Sequence, residues 1–341
     1  MRCRRSDRQR QSGAALVVAM LVFAVCAALV VAMRGEFQRF YQRNANLLQA
    51  EQAHAYLRGA EDLAAMVLLQ DRDQDKNSDR PRDDLTEIWA IPADQRPPYS
   101  FEQGWMIGEL EDLQGRFNLN LLTHGEPDDT GSSKPTPHQK QFIRLLQALP
   151  DLQLSEYEAR LVTRAIGDWL DADRQPHPDG AEDDFYGARS PAHRTANRPM
   201  ASVSELRAVA NVTPELYLAL LPWITVLPET ADRLNIHTAP AMLLRSINGN
   251  DSLLPLDETE AQSLVQYREE SGFTDIDDFL SQPAFQGKGD MNEIKPLLGE
   301  RSDYFLMSAE ARLADRNMRL YSVLERKNRQ VTSLARASGS L

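Results

Sequence analysis

A long apolar segment near the N-terminus dominates the pattern of hydrophobic positions along the chain. Ala14 to Met33 is a run of twenty residues without a charge or a proline. At about 1.5 Å of rise per residue, such a helix is roughly 30 Å long, which matches the hydrocarbon core of a bilayer. The run therefore predicts a single transmembrane helix over residues 14–33.

After the apolar run, the spacing of hydrophobic residues becomes amphipathic. Large apolar residues recur at steps of three and four, as on one face of a helix. They include Phe37, Phe40, Tyr41, Leu47, Leu48 and Leu63. The pattern predicts one long helix that continues beyond the membrane segment. The all-polar segment Asp71–Asp84 that follows is interpreted as a surface loop.

Two regions with strand-like alternation enclose a region with helical spacing. Residues 104–122 and 304–336 alternate between two faces, and residues 315–317 are predicted as a hairpin loop. Residues 138–299 carry helical spacing with helix caps, such as Ser155 followed by Glu158. The simplest model is an α+β fold, in which strands from both sides of a large α-helical insertion form one antiparallel sheet.

Charge is distributed unevenly and predicts the orientation of the membrane segment. Residues 1–13 carry a net charge of +4 and the rest of the chain −16, for a total of −12. A basic segment ahead of an apolar span keeps the N-terminus in the cytoplasm. The only cysteines are Cys3 and Cys26. The part of the chain that follows the membrane segment, which this orientation would export, therefore has no cysteine and cannot form a disulfide.

Three interpretations of the N-terminus compete. A cleaved secretory signal has a shorter apolar stretch followed by a small-residue cleavage site. A signal anchor with a helical stalk fits the length of the run. A basic leader, then Gly13, then one helix that is half apolar and half amphipathic is also the layout of type IV pilin-like subunits. The segment by itself favours neither of the last two.

Residues 168–187 hold the densest group of acidic side chains. Positions 1, 3, 5, 7, 9 and 12 of a twelve-residue loop are Asp171, Asp173, Gln175, His177, Asp179 and Glu182. Oxygen ligands at this spacing suit calcium, although Pro176 stands where an EF-hand has glycine. The candidate ligands are Asp171, Asp173, the Gln175 carbonyl group, Glu182, Asp183 and Asp184. The alternative is a solvated acidic loop without a metal.

The remaining motifs argue against catalysis and against nucleic-acid binding. HExxH, GxSxG, GxGxxG and GxxxxGK are absent, so the chain is predicted not to be an enzyme. Residues 202–285 resemble helix-hairpin-helix (SAM-like) modules of DNA-binding and competence proteins. Residues 201–300, however, carry 16 acidic and 6 basic residues, which repel phosphate. A membrane-anchored nucleic-acid receptor of the competence type is kept as the alternative function.

Six motifs in order resemble the K-type minor pseudopilins of type II secretion systems over nearly the whole chain. They are QSGAALVVAMLV, EDLQGRFNLNLL, DWLDADRQPHPDGAEDD, ASVSELRAV, LPWITVLPE and LNIHTAP. The resemblance implies a cleaved leader (1–13), a transmembrane helix (14–33), a pilin-like helix with the first strands (34–122), an inserted α-helical domain (123–300) and C-terminal strands (301–341).

The resemblance also implies processing, partners and location. A prepilin peptidase would cut between Gly13 and Ala14, and Ala14 would then be N-methylated. The subunit would lie at the tip of a periplasmic pseudopilus, anchored once in the inner membrane, with calcium in the acidic loop. It would nucleate or cap the filament together with the I-, J- and H-type minor pseudopilins and the inner-membrane secretion platform.

Two positions differ from related patterns. Most pilin-like proteins carry glutamate at the fifth mature position, where it pairs with the N-terminal amine of a preceding subunit. This chain has Val18 there, as the K-type pattern does, which suits the end of a filament. At position 237 the family usually has asparagine, whereas this chain has His237, while Asn235 is retained.

Overall fold

The computed structural model describes residues 12–339, except 77, 103, 124–133, 250, 251 and 315. Most of the predicted leader and most of the predicted loop 125–137 therefore lie outside the described residues. The chain divides into two compact units, residues 1–56 and residues 57–341.

Helices and strands of the described residues follow the expected α+β order. The helices are α1 (Ser12–Asp75), α2 (Pro137–Ala148), α3 (Glu156–Leu170), α4 (Asp183–Gly187), α5 (Pro214–Leu220), α6 (Ala241–Leu244), α7 (Glu258–Glu270) and α8 (Ile276–Ser281). The strands are β1 (Tyr99–Phe101), β2 (Gly104–Asp112), β3 (Phe117–Asn118), β4 (Ile224–Thr225), β5 (Leu234–Asn235), β6 (Leu298–Gly299), β7 (Tyr304–Leu313), β8 (Arg316–Lys327) and β9 (Gln330–Ala337).

The predicted long N-terminal helix is confirmed as the single helix α1. Its most apolar 18-residue window has a mean hydropathy of 3.0, and none of that window is buried by the protein. A helix that exposes only apolar side chains over this length is stable in lipid, where its backbone groups bond to one another. Within the described residues, α1 is the one helix long and apolar enough to cross a membrane.

Strands from both ends of the second unit form one antiparallel sheet in the order β1-β2-β7-β8-β9. Strand β2 pairs directly with β7, in a register that places Gly104 opposite Leu313 and Asp112 opposite Phe305. The sheet packs against the C-terminal part of α1 through Leu57, Leu68 and other buried apolar residues. The prediction of one sheet built from both sides of an insertion is confirmed.

The loop between β7 and β8 is shorter than predicted. Leu313 is paired with Arg316, and Arg312 with Asn317, so both Arg316 and Asn317 belong to β8. The hairpin prediction is correct, but β7 ends at Leu313 and β8 begins at Arg316, and Asp315 lies outside the described part of the chain. Ala314 has a φ of 49°, which is the left-handed conformation that such a tight turn requires.

The helical insertion between β2 and β7 has its own core. Capping boxes begin three of its helices, at Thr136, Ser155 and Asp257. Two short parallel pairs also occur, β3 with β4 and β5 with β6. Strand β3 lies within residues 104–122, which were predicted as strand-like, whereas the other three strands lie within residues 138–299, which were predicted as almost wholly helical. Those three strands have two residues each, which is too short for a periodic pattern, so the sequence carries no signal for them.

A buried polar network around Arg326 links β8 to neighbouring segments. Arg326 is fully buried, and its guanidinium group donates to Asp71 Oδ2 at 2.8 Å and to Asp83 Oδ1. Its charge lies over the ring of Phe305, 4.8 Å from the ring centroid. Asp83 Oδ2 accepts from the backbone N–H of Ser302 at 2.8 Å. We call Arg326, Asp71, Asp83 and Ser302 the Arg326 network.

The interpretation of Asp71–Asp84 as a surface loop is wrong for several residues. Asp71 and Asp75 lie in the C-terminal part of α1, and Asp83 is fully buried. Carboxylates can be buried here because Arg326, more than 240 residues away, compensates their charge. Burial raises the pKa of Asp71 to about 6, and burial together with the charge of Asp71 raises the pKa of Glu87 to about 8.

His237 lies in the core of the insertion with an uncharged ring. It is 2% exposed, its backbone N–H donates to Asn235 Oδ1, and its Nε2 has no hydrogen-bond partner among the described residues. Burial, with a further contribution from Arg82, lowers the pKa of His237 to about 4. Protonating this ring in the folded protein is therefore unfavourable.

We expect acid to destabilise the fold through His237. The pKa of His237 is lower in the folded than in the unfolded protein. The contribution of the neutral ring to the free energy of unfolding is therefore complete above the unfolded pKa of about 6.5 and is lost as the pH falls toward 4. The shift corresponds to a loss on the order of 3 kcal/mol. Denaturant unfolding of the soluble part at pH 7 and 4.5 should show a smaller loss in His237→Asn. The variant of an exposed histidine, His54→Asn, should behave like the parent, and equal losses in all three proteins would refute the assignment.

Candidate functional site

Asp168 organises the acidic loop from its base. It is fully buried in the last turn of α3, where Oδ1 pairs with His177 Nδ1 at 2.8 Å and Oδ2 accepts from the N–H of Ala181 at 2.7 Å. Gly180 is required here, because a Cβ atom would lie 1.9 Å from Asp168 Oδ2. The loop between α3 and α4 is thus folded around one buried carboxylate.

Three of the predicted ligands converge above this base. Single carboxylate oxygens of Asp171, Asp173 and Glu182 all lie within 4.8 Å of one another. Asp171 is half-buried, Asp173 is exposed and Glu182 is 2% exposed. We call these residues the carboxylate cluster. Three negative charges this close repel one another, so the cluster favours a bound cation or a proton.

Glu182 has an oxygen atom aimed into the protein without a partner. Its Oε2 accepts from Thr195 Oγ1 at 2.7 Å, whereas Oε1 is buried and has no hydrogen-bond partner among the residues that the structure describes. Burial, and then the nearby charges of Asp168 and Asp171, raise the pKa of Glu182 against the effect of the Thr195 hydrogen bond. An unsatisfied buried carboxylate oxygen is costly unless a ligand reaches it.

Asn197 contributes a second buried oxygen next to the cluster. Its Nδ2 donates to the Asp173 carbonyl at 2.5 Å, and its Oδ1 is buried without a partner in the described part of the chain. The residue has a φ of 46°, a left-handed conformation that asparagine tolerates better than most residues. Amide and carboxylate oxygens together form the ligand chemistry that calcium prefers.

The other predicted ligands lie outside the carboxylate cluster. Gln175 is exposed and its backbone N–H donates to Asp173 Oδ1 at 2.8 Å. Asp183 Oδ1 accepts from Thr195 Oγ1 at 2.9 Å, and Asp184 is exposed on α4. Asp179, at position 9 of the proposed spacing, forms an ion pair with Arg164 at 2.6 Å.

Sequence reasoning missed Asp168 and Asn197. Asp168 had one signal, because it lies three residues after Ala165 and seven after Leu161, on the apolar face of α3. An acidic residue on an apolar face indicates a buried structural role. Asn197 is remote in sequence from the acidic loop and lies in an irregular segment, so no spacing pattern could assign it to the site.

The predicted processing site lies at the start of α1. Gly13 and Ala14 are helical, and a Cβ atom built on Gly13 would meet nothing within 4 Å. Packing within the chain therefore does not require glycine at this position. Val18 is 60% exposed on the same helix, so the position at which pilin-like proteins are expected to carry glutamate presents an apolar side chain here.

The described residues of the hairpin in the helix-hairpin-helix-like region pack against the protein interior. Arg144 is 1% exposed and donates to the carbonyl oxygens of Gly249 at 2.8 Å and Ser252 at 2.6 Å. A Cβ atom on Gly249 would lie 1.6 Å from the Lys288 carbonyl oxygen, so the hairpin packs tightly against its neighbour. Asn250 and Asp251 lie outside the described residues. This packing gives no support to phosphate binding by the hairpin.

A long apolar helix that could cross a membrane, followed by an antiparallel sheet with a helical insertion, is the architecture of a pilin-like subunit. Models of the family "Type II secretion system (T2SS), protein K" match residues 115–229 and 234–300. The protein K of Klebsiella pneumoniae is 34% identical, over 97% of each chain. That of Pseudomonas aeruginosa is 35% identical, over 97% of this chain and 94% of the relative.

A solved structure agrees with these relatives. The match is the GspK–GspI–GspJ complex of the type 2 secretion system of enterotoxigenic Escherichia coli, with a TM-score of 0.73 and 26% sequence identity. It covers 88% of this chain and 100% of that chain. The chain belongs to the family of type II secretion system protein K, the K-type minor pseudopilins.

Proposed function

We propose that this chain is the subunit at the tip of the type II secretion pseudopilus, where it nucleates or caps filament assembly. The observation that carries the proposal is Val18, exposed at the position where pilin-like subunits carry a glutamate. Without a carboxylate there, the subunit has no group with which to pair with the amine of a subunit above it. It can therefore start or end a filament but cannot be inserted within one.

The partners follow from the family and the neighbouring structure. A relative of this chain forms a complex with I- and J-type subunits, so we propose the same partners here, together with the H-type subunit. A helix that can cross a membrane fits an inner-membrane anchor, with the folded part in the periplasm next to the secretion platform. The role is structural and not enzymatic.

Labelling of assembled pseudopili tests the position of the subunit. Antibody against this chain should mark one end of each filament and co-purify with the I- and J-type subunits. Val18→Glu restores the carboxylate and should allow insertion along the filament, whereas Val18→Leu should keep the terminal position. Labelling of the wild-type chain along the length of the filament would refute the proposal.

We further propose that prepilin peptidase cuts after Gly13 and that Ala14 is then methylated. Gly13→Leu should block the cleavage, because recognition by the peptidase would require glycine at this position, whereas packing within the chain does not. The intact mass of the membrane-extracted protein shows whether residues 1–13 have been removed. Gly35→Leu is the matched control, because Gly35 is also helical and has nothing within 4 Å of its Cβ position. Normal maturation of Gly13→Leu would contradict the assignment.

We also propose that the carboxylate cluster binds calcium, with ligands from Asp171, Asp173 and Glu182 and with Asn197 beside them. The partnerless buried oxygen of Glu182 supports this proposal, because a hard cation would satisfy it and offset the repulsion within the cluster. Calcium would stabilise the loop between α3 and α4 by cross-linking its two ends.

A further inference from the structure

Strand β9 leaves an open edge on the five-stranded sheet. It pairs with β8 on one side and is the last strand in the sheet order. Among the described residues, no backbone hydrogen bond joins its other side to any segment. An open edge carries a row of N–H and C=O groups that can pair with a further strand.

The turn before β9 determines which groups face outward. Asn328 and Arg329 have φ values of 52° and 61°, so the two-residue loop has the geometry of a type I′ turn. Lys327 and Gln330, which flank the loop, then exchange hydrogen bonds, and the pairs alternate from there. The N–H and C=O groups of Val331 and Ser333 therefore point away from β8.

The first part of the edge, Val331 to Ser333, carries neither a charge nor a proline that would oppose pairing, and a bulge follows it. Residues 331–335 are Val, Thr, Ser, Leu and Ala, without a charge or a proline. Natural edge strands are commonly protected by a central lysine, a proline or a bulge. A register shift opposite Leu324 does occur next to Leu334, which is 47% exposed. The outward-facing N–H and C=O groups of Val331 and Ser333 come before this bulge along the strand, so the bulge does not displace them.

Positive charge frames this edge in a protein that is otherwise acidic. Residues 316–341 hold six basic residues and one acidic residue, whereas the whole chain has a net charge of −12. Three of the six are compensated within the protein, because Arg326 is buried with two carboxylates, Arg319 pairs with Glu310 and Arg336 pairs with Glu61 at 2.8 Å. At the turn, Lys327 is exposed, and Arg329 is 76% exposed with the carboxylate of Asp73 3.5 Å away. The end of the edge next to the turn therefore attracts an acidic partner.

We propose that the β9 edge binds an extended, acidic segment of a neighbouring pseudopilin subunit, which adds a sixth strand to the sheet. This inference rests on the proposed function, because it assigns a contact within the tip complex. A second copy of this chain is a poorer occupant, since edge-to-edge pairing would place the basic residues of both copies against each other. Backbone bonds would supply affinity, and the basic residues would select the acidic segment.

Proline at Ser333 tests the outward-facing backbone. Ser333→Pro removes an N–H that faces away from β8, a position at which edge strands accept proline. Ser333→Ala is the matched control, because it keeps that N–H and loses only the hydroxyl group. The full-length chain, tagged and co-expressed with the I- and J-type subunits, is purified in detergent with each substitution. We expect about fivefold less partner to be retained by Ser333→Pro, and unchanged retention by Ser333→Ala.

A charge variant and a stability measurement complete the test. Lys327→Gln with Arg329→Gln should weaken retention and reduce its dependence on salt, without a change in the β9 backbone. Thermal melting shows whether Ser333→Pro is folded. If it is not, the charge variant alone decides, and unchanged retention by that variant overturns the proposal.

The possible outcomes distinguish a failure of the edge proposal from a failure of the proposed function. If the wild-type chain retains neither partner, the proposed function fails. If the wild-type chain and a folded Ser333→Pro variant retain both partners equally, the edge proposal fails and the function stands. If the edge variants instead abolish capture of an untagged second copy of this chain, the occupant is a copy of the chain and the proposal is overturned.

Discussion

Replacing Arg326 with methionine is expected to lower the free energy of unfolding by about 3–5 kcal/mol, the usual effect of removing one partner of a buried ion pair. The side chain is fully buried and binds two carboxylates, Asp71 and Asp83, as well as the carbonyl oxygens of Leu68 and Ser302. Methionine fills a similar volume but leaves both carboxylates without a compensating charge. Denaturant unfolding of the soluble part measures the loss.

The loss should depend on pH in a defined direction. Burial already raises the pKa of Asp71 to about 6, while Arg326 acts to lower it. Without Arg326, the folded pKa of Asp71 rises further. A carboxyl group with a raised folded pKa contributes stability below its unfolded pKa and loses it as pH rises through the folded value. Arg326→Met should therefore be less destabilised at pH 5 than at pH 8.

Arg319 provides a control on the same strand. Its side chain is 60% exposed and forms an ion pair with Glu310 at 2.8 Å. Arg319→Met is expected to cost less than about 1 kcal/mol, as for other surface ion pairs. Similar losses for the two variants, or a deficit of Arg326→Met that shrinks as pH rises, would contradict the role assigned to the Arg326 network.

Calcium is expected to raise the midpoint of thermal unfolding of the soluble part by several degrees. A ligand that binds only the folded state at about 100 times its dissociation constant contributes about 2.7 kcal/mol. For a chain of this size, that corresponds to a shift on the order of 5 °C. Chelator should reverse the shift. Magnesium should reproduce little of it, because magnesium requires a smaller octahedral site.

Two substitutions distinguish the carboxylate cluster from a generally acidic loop. Glu182→Gln keeps the shape of the side chain and removes its charge, so the calcium shift should disappear. Without calcium at pH 8, this variant should be at least as stable as the parent, because burial raises the pKa of Glu182. Asp184→Asn removes an exposed charge two residues away and should keep the shift.

Equal calcium shifts in the parent and Glu182→Gln would exclude Glu182 as a ligand. A loss of the shift in Asp184→Asn would place the ion nearer α4 than the geometry indicates. Both measurements are independent of secretion, so they test the metal site apart from the proposed role at the tip.

Local patterns predicted the elements whose hydrogen bonds are local. The capping box of Ser155 and Glu158, the apolar run of α1 and the alternation of β7 and β8 each lie within a short segment. The burial of Asp83 could not be predicted in this way, because it depends on Arg326. A polar residue indicates a surface position only when no distant partner compensates its charge.

In the candidate site, too, the residues of one local segment could be predicted, whereas the residue from a distant segment could not. The acidic spacing identified Asp171, Asp173 and Glu182, which follow one another along a single loop. Asp183 and Asp184 were added to the candidates from outside that spacing, because a count of acidic residues does not show the direction of a side chain. Asn197 comes from a separate segment, and its left-handed backbone conformation has no sequence pattern beyond the tolerance of asparagine for it.

The pairing of β2 with β7 has a consequence for the order of folding. Gly104 and Leu313 are neighbours in the sheet, although about 200 residues separate them along the chain. At typical rates of synthesis, β2 waits about 10–40 s for its partner to be made. The helices between them can close their own core during that time. The sheet is then completed last. A chain truncated after the helical insertion would therefore have a folded insertion but would lack β7, β8 and β9 of the sheet.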